Sequence, residues 1–170
     1  MEIERKFLVR RDDTFRRMVS SSSFIAQGYM EVRGATVRIR LRTPSDDPSA
    51  GKAYLTIKGP SRDGGVSRYE FEREIPLEDA REMLALCHGG LIEKVRHLVH
   101  YEGHTFEVDE FCGANDGLLF CEVELQSSDE HFERPPFLGP EVTGIKYFYN
   151  KHMLSMPYPQ WRETLPEEYR

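Results

Sequence analysis

Long apolar runs are missing from this chain of 170 residues. No stretch approaches the roughly 20 apolar residues of a membrane-spanning helix, and none near the N-terminus resembles a secretory leader, so neither a span nor a signal peptide is expected. Cysteine is scarce. Cys87, Cys112 and Cys121 are odd in number and lack C-x-x-C spacing, which argues against a disulfide framework and for reduced, small apolar side chains in a cytoplasmic protein. A surplus of positive charge is missing too: the net charge of -6 speaks against a general nucleic-acid binder, so any polyanion has to be met by a local basic cluster. There is no G-x-x-x-x-G-K-[ST] loop to cradle phosphates. Nor is there an internal repeat, a low-complexity tract or a dividing linker, and a chain of this length is expected to form one well-buried domain.

What the sequence does have is charge at every second position. Glu2, Glu4 and Lys6 open the pattern, and it returns as Arg38/Arg40/Arg42, Glu70/Glu72/Glu74, Lys94/Arg96, Glu107/Asp109 and Glu122/Glu124. Residues i and i+2 of a strand share a face. The intervening face is largely apolar: Val37/Ile39/Leu41, Tyr69/Phe71/Ile75, Phe106/Val108 and Cys121/Val123/Leu125. One such segment is an ordinary half-buried antiparallel strand with its charges in water. Here, several segments are of uniform sign. Like charges two apart on a strand lie roughly 6.6 Å from each other and repel by about 2.5 kcal/mol at an effective dielectric near 20. A shared cavity would need opposite charges or ligands to offset that repulsion. Acidic strands beside basic ones therefore point to a site for metal cations and a polyanion together.

Pattern and turn chemistry place eight strands at about 2–9, 25–31, 36–42, 52–58, 67–75, 92–101, 104–111 and 119–126. Arg33-Gly34, the loops at 44–51 and 59–65, Glu102-Gly103 and the stretch 113–117 punctuate them. Helical signals lie at 14–19, at 77–87 before Gly89 and Gly90, at 129–132 after a Ser127/Glu130 capping pair, and at 147–154. The second of these puts Ala80, Met83, Leu84 and Cys87 on one face, a packing stripe for the apolar side of the sheet. The expected fold is mainly β (α+β): a closed eight-stranded antiparallel barrel or tunnel with a charged lumen and helices packed outside. Residues 1–156 would form this domain and 157–170 an irregular tail.

The charged face has the composition of a phosphoryl-transfer site. Carboxylates at Glu2, Glu4, Glu70, Glu72, Asp109, Glu122 and Glu124 offer oxygen ligands only, which favours Mg2+ or Mn2+ over zinc. Lys6, Arg38, Arg40, Arg42, Lys58, Arg68, Lys94 and Arg96 stand opposite, with arginine forks suited to phosphate oxygens and lysines acting as point charges. Divalent ions and fixed cations on phosphate oxygens, with a positioned water or hydroxyl to attack, are the parts such chemistry needs.

The residues Glu2-Ile3-Glu4-Arg5-Lys6 resemble the E-x-E-x-K signature of the CYTH superfamily, the triphosphate tunnel metalloenzymes. The likeness continues in order through VRIRL at 37–41, AYLTIKG at 53–59, SRYEFEREI at 67–75, IEKVRHLV at 92–99, TFEVDEF at 105–111 and CEVEL at 121–125. Within the family, the chain is most similar to short bacterial inorganic triphosphatases, relatives of thiamine triphosphatases and class IV adenylate cyclases. The resemblance implies an eight-stranded tunnel that binds a triphosphate and a divalent metal. By motif position, Glu2, Glu4, Glu122 and Glu124 would be metal ligands, supported directly or through water by Glu70, Glu72 and Asp109. Lys6, Arg38, Arg40, Lys58, Arg68, Lys94 and Arg96 would hold the triphosphate. Lys94 would also activate the attacking water, a role that needs a depressed pKa; a plain phosphate clamp is the competing reading. The implied substrate is inorganic tripolyphosphate, with ATP and thiamine triphosphate as further candidates and neither nucleic acid nor membrane as partner. An adenylate cyclase and a non-catalytic polyphosphate-binding module are the alternatives.

The chain departs from the family pattern at Gly144-Ile145-Lys146-Tyr147-Phe148-Tyr149-Asn150, where an acidic residue and a basic pair usually precede the tyrosine and asparagine. Lys146 is kept as a phosphate contact. Arg42, Glu74 and Glu107 are read as rim residues, and 46–51 as a solvated loop. His97, His100 and His104 are read as ordinary polar residues around a turn rather than a transition-metal site, and Trp161 as packing of the tail.

Overall fold

The computed structural model describes residues 3–60 and 69–170; Glu2 and Arg68, the start of the fifth expected strand and most of the loop at 59–65 lie outside the described residues. Alternation builds the sheet as expected. Strands β1 (Ile3–Val9), β2 (Ser21–Val32), β3 (Ala35–Pro44), β4 (Lys52–Lys58), β5 (Glu70–Ile75), β6 (Ile92–Tyr101), β7 (His104–Cys112) and β8 (Leu119–Leu125) follow the predicted order, and β4 and β6 carry the predicted bounds. Arg33-Gly34 and Glu102-Gly103 all have positive φ, the paired left-handed turn that matches the twist of a tight hairpin.

A ninth strand, β9 (Leu138–Glu141), was not expected. It pairs antiparallel with β1, giving the order β5-β4-β3-β2-β6-β7-β8-β1-β9. Pro140 cannot donate to a ladder, so it suits the outer edge. Among the described residues no ladder joins β5 to β9. The sheet nevertheless curls, because Glu70 and Glu72 of β5 line one cavity with Glu4 and Lys6 of β1. Two helical signals came out shorter. The one at 14–19 is a single 3-10 turn, Arg16–Met18, and 129–132 is a turn in which Glu130 Oε2 accepts from the Gln126 amide instead of capping a helix.

Apolar packing explains which way the sheet curls. On the convex side, Phe7, Val9, Val99, Phe106, Val108, Cys121 and Val123 form a core with Phe15, Phe132 and Phe137 from the loops. The helix α1 (Leu77–Ala85) lays Ala80 and Leu84 on Ile39, Leu41 and Ala53, with Met83 and Cys87 beside them, so the expected stripe is the packed face. A third core sits on the concave side. Leu8, Ile92, Phe111 and Phe120 share strand faces with Lys6, Lys94, Asp109 and Glu122, one step further along. Phe148, Met153 of α2 (Asn150–Ser155), Tyr158, Trp161 and Leu165 cover them. The lumen therefore changes from charged to aromatic along its own strands, and the C-terminal segment floors that end.

Candidate active site

Concave-face side chains from seven strands and the segment before α2 line a cavity of about 530 Å³: Glu4 and Lys6 on β1, Arg38, Arg40 and Arg42 on β3, Lys58 on β4, Glu70 and Glu72 on β5, Lys94 and Arg96 on β6, Glu107 on β7, and Glu122 and Glu124 on β8. Phe148, Tyr149 and Asn150 complete it. Strand parity alone predicts this gathering. Asp109 lies beneath the surface of the same face, fully buried.

The charges on the β1, β6, β7 and β8 side neutralise one another. Lys6 donates to Glu4 and to Glu122 Oε1, the latter at 2.5 Å, and is 5% exposed. Lys94 donates to Asp109 Oδ2 at 2.5 Å. Arg96 makes a fork on Asp109, 2.7 Å from each oxygen, reaches Glu122 Oε2 at 2.9 Å and pairs with Glu107. Asp109 thus has both oxygens occupied by cations. Aromatic rings lie under the two lysines: Nζ of Lys6 is 5.5 Å from the Phe120 centroid, and that of Lys94 is 5.4 Å from Phe111.

These surroundings pull the titrating groups apart. Burial pushes the Lys94 ammonium below the usual lysine range and Arg96 adds to the shift, while Asp109 opposes it. Asp109 is held below the carboxylate range, because Lys94 and Arg96 outweigh its own burial. Burial and then the charge of Glu122 raise Glu4. Lys6 is raised: its burial is outweighed by Glu122 and Glu4. Burial first, then the charge of Asp109 and Glu122, raises Glu107 against the pull of Arg96.

The opposite wall is unlike this. Arg40 is lowered by burial, by Arg38 and by Arg96, and among the described residues no carboxylate pairs with it. Its Nε donates to Gln27 Oε1 at 3.0 Å. Gln27 Nε2 in turn donates to the Tyr29 hydroxyl at 3.1 Å, and Asn150 Nδ2 reaches that hydroxyl at 3.4 Å. Arg38 approaches Glu72 Oε2 at 3.4 Å and Thr56 Oγ1 at 3.3 Å, but its buried Nε has no partner among the described residues. Lys58 and Glu70 pair at 3.4 Å. Gln27, Tyr29 and Thr56 escaped the sequence reading, which followed charge; their strand parity with Arg40, Lys58 and their neighbours is the signal that would have found them, whereas Tyr149 lies in the turn before α2.

Among the described residues, the expected metal carboxylates do not gather at one point. Glu2 lies outside the described residues, Asp109 is enclosed by Lys94 and Arg96, and Glu70 and Glu72 stand across the cavity on β5. Among the described residues, no three Asp, Glu, His or Cys side chains form a metal-ready group. What remains together is Glu4 and Glu122 on one ammonium, with Glu124 on the same face of β8. Their oxygens are hard ligands, and the repulsion between them, which adds to burial in raising Glu4, is the kind a divalent cation relieves, so this donor set fits a hard divalent cation.

Three peripheral expectations resolve simply. Lys146, expected as a phosphate contact, is exposed, lies over the Tyr147 ring and is not among the residues that line the cavity, where Phe148 of the same turn stands instead. Arg42 is exposed at the rim, and Glu74 pairs with Lys52. His97, His100 and His104 have separate partners, Ser22 with Glu110, Thr105, and Glu130.

Comparison with known proteins gives the same picture. The family model described as CYTH domain matches residues 1–146. An inorganic triphosphatase of Acetivibrio thermocellus is 38% identical over 164 residues, covering 95% of this chain and 98% of that protein. An inorganic triphosphatase of Nitrosomonas europaea is 34% identical over 160 residues, 92% of this chain and 99% of that protein. A solved structure of an inorganic triphosphatase superposes with a TM-score of 0.66 at 29% identity, covering 92% of this chain and 97% of the other.

Proposed function

The chain belongs to the CYTH domain family and is a triphosphatase; from that premise we propose that it hydrolyses inorganic tripolyphosphate inside the curled sheet, with a divalent cation on Glu4, Glu122 and Glu124. One observation carries the proposal. A single cavity holds, among the described residues, an arginine donor without an acceptor, Arg38 Nε, and an arginine without a carboxylate, Arg40, whose Nε rests on Gln27, opposite a carboxylate group that repels itself. A polyanion satisfies the first wall and a cation the second.

Arg38, Arg40 and Lys58 bind the phosphate chain, and Gln27, held by Tyr29 and Asn150, orients Arg40. A bound Mg2+ or Mn2+ would neutralise phosphate oxygens and the developing charge of the leaving group. Water oxygen forms the new bond to a terminal phosphorus, the bond to the diphosphate oxygen breaks, and phosphate and diphosphate result. Lys94 takes the proton of that water: burial favours its neutral amine, and Asp109 with Arg96 fixes its position. Three unpaired cysteines accord with a cytoplasmic setting.

The test is a substrate panel of tripolyphosphate, ATP and thiamine triphosphate with Mg2+ or Mn2+, products identified by chromatography. Phosphate and diphosphate from tripolyphosphate at the highest kcat/KM is the expected result. Cyclic AMP as the main product from ATP would make the protein a cyclase, and tight binding without turnover of any substrate would make it a binding module.

A further inference from the structure

Glu4 and Glu122, assigned above to the metal, are already bridged by a cation belonging to the protein. Lys6 Nζ touches both carboxylates and is almost wholly buried. The other buried cations are differently placed. Lys94 sits on Asp109, which has no solvent exposure, and Arg96 is fixed by Glu107, Asp109 and Glu122 together. Lys6 has a partner, Glu4, that opens to the lumen with 38% of its side chain exposed, and it lacks the three-carboxylate clamp that fixes Arg96. It is also carried on a flexible four-carbon stem rather than a rigid fork. On the lumen side of its ammonium stands the ring of Tyr149, 5.3 Å to the centroid, a partly exposed aromatic face that can receive a moving cation.

We propose that Lys6 is an exchangeable internal cation: a divalent ion binding Glu4 and Glu122 displaces it, and the displaced ammonium becomes a phosphate ligand. The inference rests on the proposed metal-dependent triphosphatase reading. A dication that takes the carboxylate oxygens Lys6 now holds repels its ammonium with twice the strength of two single charges at the same distance, which drives the ammonium off them. Metal and phosphate then assist each other through one side chain. Metal releases Lys6 to the phosphate, and phosphate, by holding Lys6, leaves the carboxylates to the metal; the coupling is equal in both directions.

The exchange makes an unusual demand: removing a phosphate-binding lysine has to tighten metal binding. Mn2+ titrations followed by electron paramagnetic resonance, without any phosphate present, compare wild type with Lys6→Met, which keeps the stem and loses the charge. Lys6→Met is expected to bind Mn2+ at least about tenfold more tightly. Equal or weaker binding would overturn the exchange. A second arm needs no variant. Calorimetry of the wild type with inorganic phosphate should show affinity rising about fivefold or more when Mg2+ is present, after correction for magnesium phosphate in solution. No coupling there overturns it as well. Wild-type hydrolysis of tripolyphosphate is measured alongside. If hydrolysis is metal-dependent but Lys6→Met fails to tighten Mn2+, only the exchange falls; if no triphosphate is cleaved, the parent reading falls, and the Mn2+ comparison still decides the exchange.

Discussion

In the proposed mechanism, Lys94 is the residue on which the chemistry turns. It is 3% exposed, held by Asp109 at 2.5 Å and seated over Phe111, and burial lowers its pKa. A buried lysine that only held phosphate would contribute equally to ground state and transition state. A proton acceptor contributes to the rate. Lys94→Met is therefore expected to lower kcat by about 10²–10⁴-fold, with KM changed only a few fold. Steady-state kinetics on tripolyphosphate decides it: a raised KM with kcat kept would make Lys94 a clamp. Sequence parity alone identified which side chains face the lumen, Lys6, Arg40, Lys94 and Glu122 among them. It could not assign partners, because the choice of Asp109 for Lys94 and of Glu122 for Lys6 depends on which strands are neighbours. For the same reason Asp109 was expected as a metal ligand and is found enclosed by two cations.

Among the elements, the C-terminal segment is where sequence reading and structure differ most. The eight long strands were legible from alternation and glycine turns. The strand β9 was not, being four residues long and containing Gly139 and Pro140. Gly139 is there for space: a Cβ would lie 2.6 Å from the Tyr169 ring. The tail was legible only as a packed aromatic, and its position as the floor of the lumen was not. Trp161 stacks on Tyr147 at 5.1 Å, meets Phe148 and Tyr158 edge-on, and donates from its indole to the Met156 carbonyl. Phe148 in turn packs on Phe120, which lies under Lys6. Trp161→Ala should cost about 3–5 kcal/mol and lower Tm by about 10 °C. Calorimetric melting checks this; an unchanged Tm would mean that the floor is not part of the cooperative fold.

At the scale of the whole molecule, the sheet solves an electrostatic problem that composition hides. The net charge is negative, yet the wall formed by Arg38, Arg40 and Lys58 is basic and half-buried, and acids sit across the same cavity. Curling the sheet brings the two sets face to face, and aromatic side chains fill one end so that the charges meet at the other. The sequence shows both charge sets but not the strand order from β5 to β9, since a strand's alternation is the same whichever strands are its neighbours. In the proposed mechanism this arrangement works only with a cation completing the acidic wall. Phosphate release from tripolyphosphate, measured with Mg2+ or Mn2+ and again with excess chelator, tests it most directly. The expected result is a loss of about a hundredfold or more with chelator, recovered when metal is restored. Release that continues unchanged in chelator would contradict it.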